Sequence, residues 1–333
     1  VATLAPQAGG RHVALRADID ALPITEASGA DWSSQRPGCM HACGHDGHTA
    51  TLFAAAWWLK QHESELPGPV SLFFQPAEEG GHGALRMIED GALQGIDCIF
   101  GWHNWPAISF GKAVCPDGPV MAANGTFQIN ITGQGGHASQ PESCRDPVLA
   151  AAAITTALQQ IVARRLPPQQ AAVISVTSIE APSAATVIPD TAQIGGSFRI
   201  ADDGLREQIG EWITEISQAT AQAHGVTADV LMQPRYGVTV NHPAAAAQMR
   251  RGLAHCLGPD WHSNHTPVPI MASEDFSYYL REVPGAYALI GADDGQGHDL
   301  PCHSPRYDFN DALIPLVARL YLQLASAPSP DSL

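Results

Sequence analysis

Nine consecutive residues, from Met40 to His48, contain three histidines, a cysteine and an aspartate. Imidazole and thiolate groups are ligands that zinc and similar borderline metals prefer. Cys43 and His45 are two residues apart, so in extended backbone their side chains project from the same face. The apolar residues from Thr49 to Leu59 predict a mostly buried helix directly after this cluster. We therefore expect a metal site at a loop-to-helix junction.

Carboxylates and a further histidine follow three predicted strands. Asp18 and Asp20 lie in the polar loop after the first strand, and the adjacent Glu78 and Glu79 follow a second buried strand. A third apolar strand ends in His103. Ligands of α/β proteins bind at the ends of such strands, so we expect these side chains to belong to one site.

The number of candidate ligands indicates two metal ions. Five side chains offer ligand atoms, namely Cys43, His45, Glu79, His103 and His303. One tetrahedral zinc site uses three or four protein ligands. Paired metal sites share a bridging ligand, hold the ions roughly 3.5–4 Å apart and lower the pKa of bound water to about 7. Glu78 would then remain free to act as the general base, which accepts the proton of the water and passes it to the leaving nitrogen.

Two other functions are compatible with parts of this pattern. In the first, Cys43 is the nucleophile of a cysteine hydrolase and His45 is its base, but the two-residue spacing makes that geometry awkward and leaves the other ligand-type residues without a role. In the second, the protein is a non-catalytic or weakly active metal-binding relative. Glu78 argues against this second function, because a protein that only holds metal needs only Glu79.

Composition indicates a globular protein whose partners are small molecules. The chain has 333 residues, of which 45% are hydrophobic and 15% charged, and this is enough for a large core. The formal charge of −16 argues against nucleic acid or an anionic membrane as a partner. No apolar run reaches roughly 18 residues, and the start of the sequence lacks the pattern of a signal peptide. The seven cysteines show no paired spacing, which suits a cytoplasmic protein without a disulfide framework.

The pattern of strands and helices changes near residue 117 and predicts two domains. Residues 117–233 are interpreted as a strand, a helix, two strands, a helix and a strand, which is the split arrangement of ferredoxin-like α+β domains. Residues 1–116 and 234–333 combine buried strands with helices and predict one α/β catalytic domain. The ferredoxin-like domain is therefore predicted to be an insertion.

The motifs together resemble those of a known family, the metal-dependent amidohydrolases and carboxypeptidases that include aminoacylases, hippurate hydrolases and auxin-conjugate (IAA-amino acid) hydrolases. The resemblance covers essentially the whole chain. It rests on the motifs Leu15–Pro23, Met40–Asp46, Gln75–Gly80, Gly101–His103, Gly135–Ala138, Ser273–Phe276 and Cys302–Pro305.

This resemblance implies the fold and the cofactors. The catalytic domain is expected to have a mixed central sheet flanked by helices, of the phosphorylase/hydrolase-like type, and the inserted domain to act as a lid and dimerisation surface. The five candidate ligands are expected to hold two divalent ions, which could be Zn, Mn, Co or Ni. The expected reaction is hydrolysis of the amide bond of N-acyl amino acids, such as N-acetyl or hippurate-like conjugates, or of dipeptide-like substrates.

The resemblance also implies that an aspartate orients a metal-binding histidine, as carboxylates next to metal ligands commonly do. The step of three residues from Asp20 to Pro23 favours Asp20, and Asp18 remains an alternative.

Three further residues are predicted to contact the substrate. His137 follows a glycine-rich loop and is expected to donate a hydrogen bond to the oxygen that becomes negative in the reaction. In related proteins this histidine can reach the active site of the opposite subunit, so a homodimer or a higher homo-oligomer is expected. Arg199 is the best-placed cation for the carboxylate of the acyl amino acid, and Asn241 is a neutral helper. The alternatives are an exposed loop histidine and a surface arginine.

Overall fold

The computed structural model describes residues 1–328, which form two compact units. The first unit comprises Val1–Val120, Thr239–Val268 and the chain from Asp275 onward, and the second comprises Met121–Val238 and Pro269–Glu274. The domain boundaries expected from the sequence, at residues 117 and 234, left the segment 269–274 in the catalytic domain. This segment joins the second unit because the N–H of Ala122 donates to the carbonyl oxygens of Ile270 and Ala272, each at 2.9 Å.

The secondary structure alternates strands and helices through most of the chain. The strands are β1 (Ala2–Leu4), β2 (Val13–Asp18), β3 (Val70–Gln75), β4 (Cys98–Ser109), β5 (Ala113–Val114), β6 (Gly118–Met121), β7 (Ala123–Thr132), β8 (Gly136–His137), β9 (Ala172–Glu180), β10 (Val187–Ile188), β11 (Thr191–Ile200), β12 (Thr227–Pro234), β13 (Thr239–Asn241) and β14 (Gly285–Asp293). The α-helices are α1 (His45–Gln61), α2 (Gly83–Glu89), α3 (Pro147–Leu158), α4 (Arg206–Ala223), α5 (Pro243–Leu257), α6 (Ser277–Glu282) and α7 (Leu313–Leu324).

The first unit is built on a mixed six-stranded sheet with the order β1-β3-β2-β4-β14-β5. The strands β3, β2, β4 and β14 are parallel, whereas β1 and β5 pair antiparallel at the two edges. Every residue of β2 is buried, as expected for a parallel strand with both faces covered. The expected mixed sheet flanked by helices is therefore confirmed.

Helix α7 of this unit packs against both α1 and α5, and all three helices contribute to a large apolar core. The parallel register aligns Asp18 at the end of β2 with Gln75 at the end of β3. The loops that follow these two strands therefore start side by side, and they carry Asp20 and the Glu78–Glu79 pair.

The second unit contains a four-stranded antiparallel sheet with the order β12-β7-β11-β9. Residues of β7 and β11 alternate between buried and half-exposed positions, because one face of the sheet packs on α3 and α4 and the other does not. The order of elements is that of the split ferredoxin-like arrangement. The roles of lid and dimerisation surface remain predictions.

Candidate metal centre

A left-handed glycine places Cys43 and His45 side by side. Gly44 has φ of +87° and lies directly before the first residue of α1. A Cβ at this position would lie 2.5 Å from Oδ1 of Asn104 and 2.6 Å from the hydroxyl of Tyr307, so only glycine fits the turn. The expectation of extended backbone between Cys43 and His45 was wrong. The loop-to-helix junction itself is present, and α1 begins four residues before the predicted Thr49.

The five predicted ligands form two groups that share one thiol. Ligand atoms of Cys43, His45 and His103 lie within 4.8 Å of one another, and so do those of Cys43, Glu79 and His303. Sγ of Cys43 is 3.4 Å from Nε2 of His103, and Nε2 of His303 is 3.2 Å from Oε1 of Glu79. All five residues belong to the first unit.

The two ring nitrogens of His45 have different environments. Nδ1 lies 3.0 Å from the backbone oxygen of Asp20 and 3.4 Å from its Oδ1. Nε2 is buried 3.7 Å from Oδ2 of Asp18 and has no hydrogen-bond partner among residues 1–328. Burial would lower the pKa of His45, but the carboxylates of Asp18 and Asp20 outweigh it and raise the pKa to about 9. A buried ring nitrogen without a partner, facing a carboxylate and a thiol, fits a bound cation that replaces the proton.

His103 is held in the tautomer that a metal ligand requires. Its Nδ1 lies 2.6 Å from the backbone oxygen of Asn104, and a carbonyl oxygen can only accept, so Nδ1 carries the hydrogen and Nε2 presents its lone pair to Cys43. Burial, followed by the nearby His48, holds the pKa of His103 well below its usual value. The ring is therefore neutral and able to bind a metal at neutral pH.

The carboxylate of Asp20 fixes the backbone that carries the two glutamates. Its two oxygens accept hydrogen bonds from the N–H groups of Glu78 and Glu79, at 3.1 and 3.0 Å. Burial raises the pKa of Asp20, but the bonds from His45 and from these two N–H groups outweigh it and lower the pKa. Asp20 thus connects one predicted ligand, His45, to another, Glu79. The side chain of Glu78 is buried, with a relative exposure of 7%.

Asp18 belongs to a buried polar network beside the site. Its carboxylate pairs with Arg16 and with Nδ1 of His48, each at 2.6 Å, and all three side chains are almost fully buried. Nε2 of His48 is 2.7 Å from Oδ1 of Asn104, whose Nδ2 donates to the hydroxyl of Tyr307 at 2.7 Å. The network therefore ends at Asn104 and Tyr307, the two residues that a Cβ at Gly44 would contact. No sequence pattern identifies Asn104 or Tyr307 as part of this network, because their contacts join distant segments.

Two of the remaining predicted site residues, His137 and Arg199, belong to the second unit. His137 is exposed in the short strand β8 of the second unit, where its Nδ1 contacts the N–H and hydroxyl of Ser139 at 3.1 and 2.8 Å. Arg199 lies on β11 of the same unit and donates to Oγ of Ser273 at 2.7 Å.

Asn241 is buried in the first unit. Its side chain bonds to the backbone N and O of Tyr287 at 2.7 and 2.9 Å, and its Nδ2 also donates to the carbonyl of Pro116. These bonds attach β13 to β14. A contact between Asn241 and substrate remains a prediction.

The cysteines of the chain are all free thiols. Cys302 precedes the predicted ligand His303, and the N–H of His303 donates to the carbonyl of Ala42 at 2.6 Å, which brings the two segments together. A hydrogen bond with Cys302, together with burial, raises the pKa of the Cys43 thiol. Binding of a cation at Cys43 must therefore displace a proton.

Comparison with known proteins identifies the class. The sequence matches peptidase family M20/M25/M40 over residues 14–327. The chain belongs to this family, and it is a hydrolase that acts on amide or peptide bonds. The family resemblance inferred from the motifs is confirmed.

Individual relatives cover nearly all of the chain. It is 40% identical to the N-acetyl-L-cysteine deacetylase of Bacillus subtilis over 94% of this chain and 73% of the relative. It is also 40% identical to the IAA-amino acid hydrolase ILR1-like 2 of Arabidopsis thaliana, over 94% of this chain and 71% of the relative. The crystal structure of Bacillus subtilis YXEP protein, described as a dinuclear metal binding peptidase of the M20 family, is 30% identical, with a TM-score of 0.80 over 97% of this chain and 83% of that one.

The helices among residues 1–328 are too short or too polar to cross a lipid bilayer. The expected cytoplasmic location remains a prediction.

Proposed function

We propose that this protein hydrolyses the amide bond of N-acyl amino acids with two divalent cations and with Glu78 as the general base. The observation that carries the proposal is the sharing of Cys43 between two groups of ligand atoms, one with His45 and His103 and the other with Glu79 and His303. A thiolate common to two groups is what a bridging ligand of a paired metal site requires. The relatives named for deacetylation and for hydrolysis of IAA conjugates support an acyl amino acid as substrate.

Glu78 and Asp20 have different roles in the proposed reaction. When bound, the two cations polarise the scissile carbonyl and make the attacking water more acidic. Glu78 accepts the proton of that water and delivers it to the leaving nitrogen. Asp20 holds Glu78 and Glu79 through their N–H groups and contacts Nδ1 of His45, so that base and ligands keep a fixed geometry.

Three other roles belong to this proposal. His137 donates a hydrogen bond to the oxygen that gains negative charge, Arg199 binds the free carboxylate of the substrate, and Asn241 assists as a neutral contact. The second unit acts as a lid and dimerisation surface. The metal ions are Zn, Mn, Co or Ni. A screen of N-acetyl, N-benzoyl and long-chain N-acyl amino acids with each ion identifies the preferred substrate and the preferred ion.

The central test is Glu78→Gln, because the amide keeps the shape of the side chain and cannot accept the proton. We expect turnover to fall by about 10²–10⁴-fold with metal content and folding unchanged. Glu89→Gln is the matched control, since Glu89 is exposed on α2 and pairs with the exposed Arg86. Activity of Glu78→Gln equal to that of the control would eliminate Glu78 as the base. Metal-loaded parent protein that hydrolyses no N-acyl amino acid would contradict the proposed reaction and favour a metal-binding relative without activity.

His137 is tested by complementation between subunits. His137→Ala and Glu78→Gln are each expected to be inactive, and mixing them under conditions of subunit exchange restores activity if His137 serves the partner's site. Subunit exchange without recovery of activity would show that His137 serves the active site of its own subunit. An active His137→Ala would show that His137 has no role in the reaction.

A further inference from the structure

The backbone of His137 is fixed by hydrogen bonds within the second unit. β8 pairs antiparallel with β10, and His137 lies opposite Val187 in that register. Beyond this pair, the N–H of Ala138 donates to the carbonyl of Thr186 at 2.9 Å. The carbonyl of His137 accepts the N–H of Gln140 at 2.8 Å and closes a four-residue turn. The chain on both sides of His137 is therefore held in place.

The imidazole ring of His137 is held by the same turn. Its Nδ1 lies 3.1 Å from the backbone nitrogen of Ser139 and 2.8 Å from Oγ of that residue. A backbone N–H can only donate, so Nδ1 is the acceptor and carries no hydrogen. The hydroxyl of Ser139 then donates to Nδ1 as well. The hydrogen of the neutral ring is therefore on Nε2, and the turn selects this tautomer.

The selected tautomer leaves one donor of the ring available to a ligand. Both His137 and Ser139 are exposed, and Nε2 of His137 has no hydrogen-bond partner among residues 1–328. An exposed side chain usually keeps its rotamer freedom, and holding it in one orientation costs conformational entropy. The two bonds from Ser139 offset this cost before a ligand binds. An N–H donor with a fixed direction is what stabilises a developing negative charge, because it needs no reorganisation during the reaction.

We propose that Ser139 is a positioning residue that holds His137 as the Nε2–H tautomer. In turnover the oriented Nε2–H group donates to the oxygen that gains negative charge, and this part rests on the proposed function. The backbone N–H of residue 139 contributes one of the two bonds, and the hydroxyl contributes the other. Ser139→Ala therefore removes one bond and keeps the second, whereas Ser139→Thr keeps both.

The tautomer is measured by NMR without turnover. The full chain is loaded with Zn²⁺ and labelled with ¹⁵N in its histidine rings, and His137→Ala identifies the two ring signals of His137. Ring nitrogens with and without a hydrogen have well-separated ¹⁵N shifts. We expect the parent protein and Ser139→Thr to carry the hydrogen on Nε2. In Ser139→Ala the ratio of the Nε2–H form to the Nδ1–H form should fall by about 2- to 10-fold, which is what one neutral hydrogen bond contributes.

Turnover gives a second measurement. We expect kcat of Ser139→Ala, for the N-acyl amino acid that the parent hydrolyses fastest, to fall by about 2- to 10-fold with KM unchanged, because the lost bond orients a donor used in the transition state. Ser139→Thr should recover the kcat of the parent. Ser143→Ala is the matched control, since Ser143 is an exposed serine of the same segment.

The outcomes separate the positioning role from the reaction. A hydrogen on Nδ1 of His137 in the parent overturns the proposal. So do His137 shifts and a kcat that are the same in Ser139→Ala as in the control, when the circular dichroism spectra and unfolding midpoints of the two variants also agree. A lower kcat with unchanged His137 shifts overturns the role as well, because Ser139 would then act by another route. If Ser139→Ala changes the His137 shifts but the metal-loaded parent hydrolyses no N-acyl amino acid, the proposed function fails and the selection of the tautomer by Ser139 stands.

Discussion

Replacing Asp20 by asparagine should weaken metal binding with little effect on folding. The carboxylate accepts the N–H groups of Glu78 and Glu79 and contacts His45, while its side chain keeps 19% of its surface exposed. Two predicted ligands, His45 and Glu79, therefore depend on it. Asparagine has nearly the same shape, so the substitution changes charge and hydrogen bonding only.

The expected loss follows from the hydrogen bonds. A bond to a charged group contributes about 1.5–3 kcal/mol. Asparagine retains one acceptor oxygen, whereas its NH₂ group would face the other backbone N–H, so about one charged bond is lost. This loss corresponds to metal binding that is roughly 10- to 100-fold weaker, in the range found when groups next to metal ligands are replaced. Competition with a chromophoric chelator measures the affinity.

Asp18→Asn is the comparison that separates the two aspartates. Asp18 is fully buried between Arg16 and His48, and removing one partner of a buried ion pair costs about 3–5 kcal/mol. We therefore expect Asp18→Asn to lower the free energy of unfolding in urea by this amount, and Asp20→Asn to lower it far less. The assignment of the orienting role to Asp20 is refuted if Asp20→Asn binds metal as tightly as the parent.

Three further predictions concern the turn between the ligands. Cys43→Ser should lose metal on dialysis, as measured by elemental analysis, because a neutral alcohol binds zinc-like ions poorly; full occupancy with two ions would show that Cys43 is not a ligand. Gly44→Ala should lower the free energy of unfolding in urea by about 2 kcal/mol or more, because its Cβ would meet Asn104 and Tyr307; unchanged stability would show that these two side chains do not require glycine at the turn. The pKa of His45 is raised from 6.5 to about 9 in the folded protein, so protonated His45 stabilises the metal-free fold. This stabilisation is complete below pH 6.5 and is lost as the pH rises towards 9. Urea unfolding between pH 6 and 9 should show the loss in the parent and not in His45→Asn.

Ligand types and the ends of β2 and β3 could be predicted from the sequence because both are local properties, whereas His103, expected at the end of a strand, lies inside β4. A buried apolar run followed by polar residues identifies β2 and β3, and the residues after them carry the chemistry. Strand β14, which lies between β4 and the edge strand β5, has no such clear pattern, since it begins at Gly285 and is interrupted by Gly291. A Cβ at either glycine would lie within 2.5 Å of a backbone oxygen of β4, so these glycines allow the close pairing of the two strands. That requirement depends on a strand that is distant in the chain, since Gly285 meets Ile99 and Gly291 meets Ser109.

The convergence of Cys43 and His45 was predicted from extended backbone, but it results from the left-handed conformation of Gly44. This conformation explains the role of the buried hydrogen-bond network. Extended backbone would need no support, whereas a left-handed glycine held against Asn104 and Tyr307 depends on both. Asn104 is fixed by His48, and His48 is fixed by Asp18, which pairs with Arg16 inside the sheet.

The sheet thus positions the ligands through a chain of buried hydrogen bonds that begins at β2 and ends at the turn. This arrangement brings ligand atoms within 4.8 Å of one another in each of two groups, Cys43 with His45 and His103 and Cys43 with Glu79 and His303. A bound cation replaces the protons of His45 and Cys43 and relieves the repulsion and desolvation among these groups, so part of its binding free energy appears as added stability of the first unit.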